Sequence, residues 1–369
     1  MGETDDTNHP PDHALQTFRN MMLILTEECN LRCRYCYEKE FNYTPGRNMS
    51  WETAREAVDF FFARLSPRLE RSCLLFFGGE PHLAFGLIQR VVDYSFSHRT
   101  IGGYTGPRYN YIVNTNGTIL TDEMYDFYKR LGKKVRIVIS VDGYKNSHDK
   151  SRPSIDGRGS WPLLAANLSR YKELKENHQV DVGITYTVNK ANHNDIYSDY
   201  LTIYRITGMP IGTLFVHEDN WKPQDFVTIR DHARLLHDRL AKDRTMSGLC
   251  ARRRASNRTF PTICAAGGDS FAVNHRGDIY PCHRCYFSGP QDTLRLGNIC
   301  SGLIPAQLAL VREINSIGRL PARCRECPPG VWQRCHPCFA ANHAAYGDFH
   351  RVAEAYCRLQ HELHRFRQG

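Results

Sequence analysis

The stretch Leu23-Ile-Leu-Thr-Glu-Glu-Cys29-Asn-Leu-Arg-Cys33-Arg-Tyr-Cys36-Tyr37 decides how this chain is read. An apolar run ends in three cysteines spaced C-x3-C-x2-C, all within eight residues. Three thiolates packed so closely behind a strand suit three irons of a [4Fe-4S] cluster. The next cysteine is Cys73, so one iron is left open to a ligand that is not protein. Zinc is the rival, but structural zinc takes four ligands, typically as two C-x2-C pairs.

Outward from this stretch the pattern alternates. Strands are expected at 21–26, 72–77, 109–114, 135–140, 182–188 and 212–217. Helical periods fall between them at 51–65, 84–98, 121–131, 160–176 and 193–206, the first capped by Ser50. Six strands alternating with helices mean right-handed βαβ units and a parallel α/β sheet. Beyond about residue 245 the texture changes: ten of the fourteen cysteines lie between Cys250 and Cys357, and a last amphipathic helix is expected at 349–366. The expected organisation is a polar tail (1–18), an α/β unit (19–245) and a cysteine-rich unit (246–369).

Function in a parallel sheet gathers at the carboxyl ends of its strands. Gly78-Gly79-Glu80-Pro81 follows the second strand, and its glycines allow close backbone approach. Asn114-Thr-Asn116-Gly117 ends the third strand and Ser140-Val-Asp142-Gly143 the fourth. Asn116 and Ser140 can hydrogen-bond a ribose or a carboxylate, although either suits turn chemistry too. Arg152 offers a bidentate partner for a carboxylate, or caps its own loop.

Together the cysteine triplet with its aromatic Tyr35, the GGEP turn, Thr115-Asn116-Gly117 and Ser140-x-Asp142-Gly143 resemble the radical S-adenosylmethionine (radical SAM) enzymes. The resemblance implies a partial (β/α)6 barrel. It implies SAM bound at the open iron of the Cys29/Cys33/Cys36 cluster and cleaved to a hydrogen-abstracting 5′-deoxyadenosyl radical. It also implies that Gly78, Gly79, Glu80 and Pro81 hold the SAM amino group and that Val188 packs on the adenine, where an ordinary core valine is the alternative.

The C-terminal third resembles a SPASM domain. Cys264-x12-Gly277-x4-Cys282 matches the first half of that pattern, while Cys324-x2-Cys327-x7-Cys335-x2-Cys338 departs from the second half in its last two gaps. By position, two auxiliary [4Fe-4S] clusters are implied. Cys324, Cys327, Cys335 and Cys357 would hold one, and Cys264, Cys282 and Cys338 the other. Its fourth ligand is open: Cys250 first, Cys285 second, or an iron free for substrate. Cys73 and Cys300 are expected to be buried structural thiols. A zinc ribbon is the rival reading of Cys324 to Cys338.

The family's SPASM members mostly modify peptides or proteins. The expectation is therefore a maturase that crosslinks or otherwise modifies a ribosomally made peptide. Formylglycine formation in sulfatases, or radical dehydrogenation or epimerisation of a small molecule, are the alternatives. Sulfatase-maturating members usually carry an Asp after the cysteine aligned with Cys282; here it is His283, a candidate base. The implied partners are a precursor peptide and an electron donor such as flavodoxin or ferredoxin. The twenty or so residues before the first strand are too few for a winged-helix leader-binding domain, so a separate leader-binding protein is a further expected partner.

Composition fits this reading. With 41% hydrophobic and 24% charged residues the chain is ordinarily globular, and fourteen cysteines suggest metal in a reducing compartment. The N-terminus is polar, with no secretory signal and no membrane-length apolar run, so a cytoplasmic protein is expected. The net charge of +9 is dispersed and makes a poor case for nucleic acid. A zinc-stabilised nucleic-acid binder would explain the cysteines but not the GGEP turn or the alternation.

Overall fold

The computed structural model describes residues 16–38, 46–65, 71–101, 108–216, 219–242, 262–328, 331, 335 and 337–365. Strand β1 (Asn20–Thr26) lies inside the sheet, and Met21, Leu23, Ile24 and Leu25 are fully buried. A strand covered on both faces has to be a near-continuous apolar run, which is what this one is. Helix α1 (Trp51–Phe62) follows, started by the Ser50 side chain accepting from Thr53 N. Then come β2 (Arg71–Gly78), α2 (Phe85–Ile101), β3 (Arg108–Thr115) and α3 (Asp122–Leu131). In α3, the Thr121 cap, acidic first turn and basic last turn all oppose fraying. The series continues with β4 (Val135–Ser140), α4 (Lys145–Ser151), α5 (Trp161–His178), β5 (Asp181–Val188), α6 (Ile196–Thr207), β6 (Ile211–Phe215) and α7 (Pro223–Lys242).

Strands β1 to β6 pair in sequence order, each parallel to the next. This is the expected α/β arrangement of six βα units. The free edge of β1 does not close onto β6. It takes β7 (Ser270–Val273) in parallel, with Asn20 opposite Ser270 and Leu23 opposite Val273. From there β8 (Asp278–Tyr280), β9 (Gly297–Asn298) and β10 (Gly302–Leu303) extend the same sheet as an antiparallel meander. One ten-stranded sheet therefore runs across the expected boundary near residue 245. Its core is continuous, from Phe18 and Phe61 through Phe271 to Tyr280.

The cysteine-rich part carries short helices: α8 (His283–Ser288), α9 (Gln291–Leu294), α10 (Pro305–Ile314), α11 (Ala322–Arg325), α12 (Phe339–Tyr346) and α13 (Glu354–Arg365). The last starts later than the expected residue 349. Arg323 donates to the Val352 carbonyl at 2.9 Å and the His350 ring meets the Ile314 carbonyl at 2.8 Å, so this stretch is tied down outside the helix. Cys300 was expected to be buried and is exposed, in the β9–β10 turn beside Glu56; Cys73 is only half-buried. Among the described residues no helix is long and apolar enough to cross a membrane.

The β1–β7 pairing gives a first prediction. A chain cut after residue 245 would leave the β1 edge and its apolar flanks uncovered, a template for self-association. It should elute as aggregate or oligomer in size-exclusion chromatography. A monodisperse monomer with native-like circular dichroism would show that the first six strands suffice alone.

Candidate active site

The loop Glu27–Tyr37 lies at the carboxyl edge of the sheet, and the motifs of β2, β3 and β4 close around it. The closest contact is at the GGEP turn. Gly79 N donates to Thr26 O and Glu80 N to Glu28 O, both at 2.9 Å. A Cβ on Gly79 would stand 2.2 Å from Glu28 O and 3.1 Å from Cys29 Cβ, and one on Gly78, at φ +130°, 2.0 Å from Thr26 O. Gly79 is therefore required by the cysteine loop itself, and Gly78 by the end of β1.

Glu80 is buried, and its carboxylate turns inward. Oε1 accepts from Thr115 Oγ1 (2.7 Å) and His82 N (3.1 Å), and Oε2 accepts from Asn116 N (2.7 Å). His82 lies 3.7 Å from Oε1, but burial lowers its pKa, so the two are not an ion pair. Asn116 in turn donates to Asn30 Oδ1 at 2.8 Å, with its amide nitrogen 4.0 Å from Cys29 Sγ.

A second clamp joins β4 to the loop. Asp142, fully buried, accepts from Thr187 N at 3.0 Å and from Arg152 Nη1 at 3.3 Å, and Tyr35 OH donates to it. Burial works against the Arg152 cation, but Cys33, Tyr35 and Asp142 outweigh it and hold its pKa well up. Its Nη1 is thus already committed to protein groups. Ser140 is half-buried, and Val188 is wholly buried in the core. Pro81 opens a 3₁₀ turn capped by Glu80.

Cys29, Cys33 and Cys36 form no disulfide. Leu31 N donates to Cys29 Sγ at 3.4 Å. Burial, then Glu80, pushes the Cys29 thiol up to about 12; burial likewise raises Cys33, and burial and Glu38 raise Cys36. Bare, they are protonated, and binding iron would release the protons. Among the described residues no three His, Cys, Asp or Glu converge as a single ion requires. Thiolates of a cluster bind different irons and so surround a body, not a point, and three thiols on one short loop, with an N–H aimed at one sulfur, suit it.

Helix α8 docks the cysteine-rich part onto this loop. The His283 ring lies 4.3 Å from Phe77 and 5.8 Å from Tyr37, centroid to centroid, with Nδ1 buried and unpartnered. Burial lowers its pKa to about 4. Arg284 stacks over Tyr37 at 4.5 Å, and Tyr286 OH donates to the buried Glu27 carboxylate, which also takes Arg47 at 3.2 Å. Burial raises the Glu27 pKa, but His275, Tyr286 and Arg47 bring it below the ordinary carboxylate range.

Two cysteine groups lie beyond. Cys282 and Cys285 bring their sulfurs within 3.6 Å, and Cys285 senses the charge of Cys338 and Cys264. Cys324 and Cys327 interact with Cys357, and Cys327 Sγ is 3.6 Å from His361 Nε2. Cys335 is half-buried, and Cys250 lies outside the described residues. Glu27 and Tyr286 are site residues that the sequence did not single out, and Asp142 entered only as part of the Ser140-x-Asp142-Gly143 turn. For Glu27, only its place directly behind an apolar strand was a hint.

Comparison with known proteins agrees with this geometry. Residues 23–196 match the Radical SAM superfamily. An uncharacterised protein of Methanocaldococcus jannaschii is 28% identical over 72% of this chain and 84% of its own. A serine-type anaerobic sulfatase-maturating enzyme of Bacteroides thetaiotaomicron is 23% identical over 81% and 77%. The chain spans less than half of two other relatives: 43% of Fe-coproporphyrin III synthase of Methanosarcina barkeri, and 45% of the cysteine-type anaerobic sulfatase-maturating enzyme of Clostridium novyi. The structure of anSMEcpe with bound AdoMet and Cp18Cys peptide superposes at TM-score 0.73, with 17% identity over 94% of this chain and 96% of that one. Streptococcus suis SuiB bound to precursor peptide SuiA gives 0.63, with 12% identity over 93% and 76%.

Two predictions follow from the clamps. Glu80→Gln turns an accepting oxygen into a donor facing another donor, and should cost about 1.5–3 kcal/mol in denaturant unfolding. An unchanged midpoint would mean that the strap is dispensable. The other concerns His148, which accepts from Asp142 N at 3.3 Å through Nδ1 and meets Ser160 Oγ at 3.1 Å through Nε2. Burial, then Arg152, lowers its pKa to about 3. Above the unfolded value of ~6.5 this group does not tilt stability; as pH falls from there towards 3 the unfolded chain binds the extra proton and stability is lost. In that window His148 contributes a slope of ~1.4 kcal/mol per pH unit, which His148→Gln should remove.

Proposed function

The chain is a radical SAM enzyme, and on that premise we propose that it modifies a ribosomally made peptide, forming a crosslink within it. The observation that carries the reading is the seat of His283. Helix α8 lays it against Phe77, next to the GGEP turn, and Tyr37, next to Cys36, so the cysteine-rich part faces the cysteine loop directly. The peptide-bound anSMEcpe and SuiB structures share the fold.

In this reading Cys29, Cys33 and Cys36 would hold three irons of the cluster, leaving the fourth open to SAM. The bound cluster and SAM supply hydrogen-abstracting radical chemistry. The chain's own residues hold and orient. With the Glu80 side chain spent on β3, the GGEP turn has its backbone carbonyls to offer the SAM amino group. Asn116 and Ser140 border the ribose, and Val188 backs the adenine from within the core. Arg152 acts first on Tyr35 and Asp142, fixing the loop between Cys33 and Cys36. Cys264, Cys282 and Cys338 belong to one auxiliary cluster, and Cys324, Cys327, Cys335 and Cys357 to the other. His283, neutral and with a free ring nitrogen in an apolar seat, accepts the substrate proton. A precursor peptide, a leader-binding protein and a flavodoxin or ferredoxin are the partners this chemistry calls for.

Formylglycine formation is the second reading, favoured by the match to the Bacteroides enzyme over most of the chain. His283, where such enzymes usually carry Asp, speaks against it.

Anaerobic protein should contain about twelve iron and twelve sulfide per chain, three clusters' worth. About four would remove the auxiliary clusters from the reading, and zinc without iron would end it. Incubated with SAM, reductant and a precursor peptide from a neighbouring reading frame, the protein should yield peptide lighter by two hydrogens and unreactive to hydrazides. A hydrazide-reactive aldehyde would mean formylglycine instead. His283→Ala should lower product by about 10²–10⁴-fold while 5′-deoxyadenosine still forms; equal loss of both would deny it the role of base. Because His283 is already neutral at pH 5, the wild-type rate should show no rise near 6.5.

A further inference from the structure

The cysteines after β8 leave one question of chemistry open: whether the first auxiliary cluster offers an iron to substrate. We propose that Cys285 is its fourth ligand, beside Cys264, Cys282 and Cys338, so that every iron carries a cysteine and none is free. This rests on the reading above that the segment holds an iron–sulfur cluster.

The geometry supports it at each member. Cys282 and Cys285 stand one turn apart at the start of α8, on the same side, with sulfurs in contact at 3.6 Å that would part to bind separate irons. Cys338 immediately precedes α12, which packs on α8. Cys264 is fixed from the far side by Asn315, whose Oδ1 accepts from Cys264 N at 3.1 Å and whose Nδ2 donates to Cys264 O at 2.8 Å. Cys264, Cys282 and Cys338 pack against the main core, and Cys285 is fully buried within it.

A thiol kept only for packing would be placed among apolar side chains. Cys285 lies in the core, yet its sulfur touches that of Cys282, and it also feels the charges of Cys264 and Cys338. The C-x2-C of Cys282 and Cys285 supplies a ligand after Gly277-x4-Cys282, and Cys338 completes the set from the end of Cys335-x2-Cys338. The guanidinium of Arg284 acts on Cys338 and offsets the negative charge of a four-thiolate cluster. Closed in this way, the cluster can exchange electrons or stiffen the fold but cannot coordinate substrate. Substrate positioning then falls to side chains such as His283.

The test uses the full chain with Cys29, Cys33 and Cys36 changed to Ala, so that only auxiliary clusters remain. Reconstituted anaerobically with iron and sulfide, it should hold about eight iron. Adding Cys285→Ala should lower this to roughly four, or leave a three-iron form seen by electron paramagnetic resonance of the oxidised protein. Cys285→Ser, which keeps the volume, should retain the parent's elution and circular dichroism while one iron site changes in the Mössbauer spectrum. Parental iron content and spectra in both variants, with Cys264→Ala losing about four iron, would overturn Cys285 as ligand and leave the cluster standing. If neither Cys264→Ala nor Cys285→Ala changes the iron content, the cluster reading fails, and this inference with it.

Discussion

The site depends on one buried carboxylate. Glu80 gathers Thr115, Asn116 and the start of its own 3₁₀ turn, and so fixes the ends of β2 and β3 at one height. Against that shelf the backbone of Glu28 and Cys29 closes to a distance that only a glycine at position 79 permits. A charge taken so far out of water persists only where each oxygen is satisfied, and here hydroxyl and backbone donors meet them. A motif that reads as a ligand contact is, in its side chain, the joint on which the cysteine loop rests.

Two further clamps work in the same manner from other sides. Asp142, with Arg152 and Tyr35, secures the middle of the loop to β4 and β5, while Glu27, with Tyr286, Arg47 and His275, secures its beginning to the cysteine-rich part. The three thiols are thus carried on a loop whose neighbours are acid-centred hydrogen-bond networks, each reaching a different part of the fold. Orientation of a cofactor to fractions of an ångström needs such support, because flexible carriers waste binding energy on ordering.

Much of this was legible in the sequence, and for a physical reason. Parallel strands covered on both faces read as unbroken apolar runs, and the helices between them announce their starts with Ser50 and Thr121. The cysteine spacing and the glycine pair showed where the strand ends meet. What stayed hidden is non-local. Strands β7 to β10 have two to four residues each, too few to show a period. Helix α7, Pro223–Lys242, is mostly polar and went unread. The roles of Glu27 and Asp142 rest on Tyr286 and Tyr35, far along the chain, and no local pattern pairs them. Cys300 shows the limit in the other direction, since a lone cysteine carries no sign of the surface it lies on.

The placing of β7 against β1 also sets an order of events during synthesis. The strand that carries the cysteine loop finds its second neighbour about 250 residues later, at Ser270–Val273. At ~5–20 residues per second, a nascent chain waits on the order of ten to fifty seconds with that flank open. Joining positions so distant also makes closure slow, because loop entropy must be overcome before the pairing rewards it. The cysteine loop therefore reaches its final surroundings only when the last third of the protein has emerged, and iron delivered earlier would meet a half-built cradle.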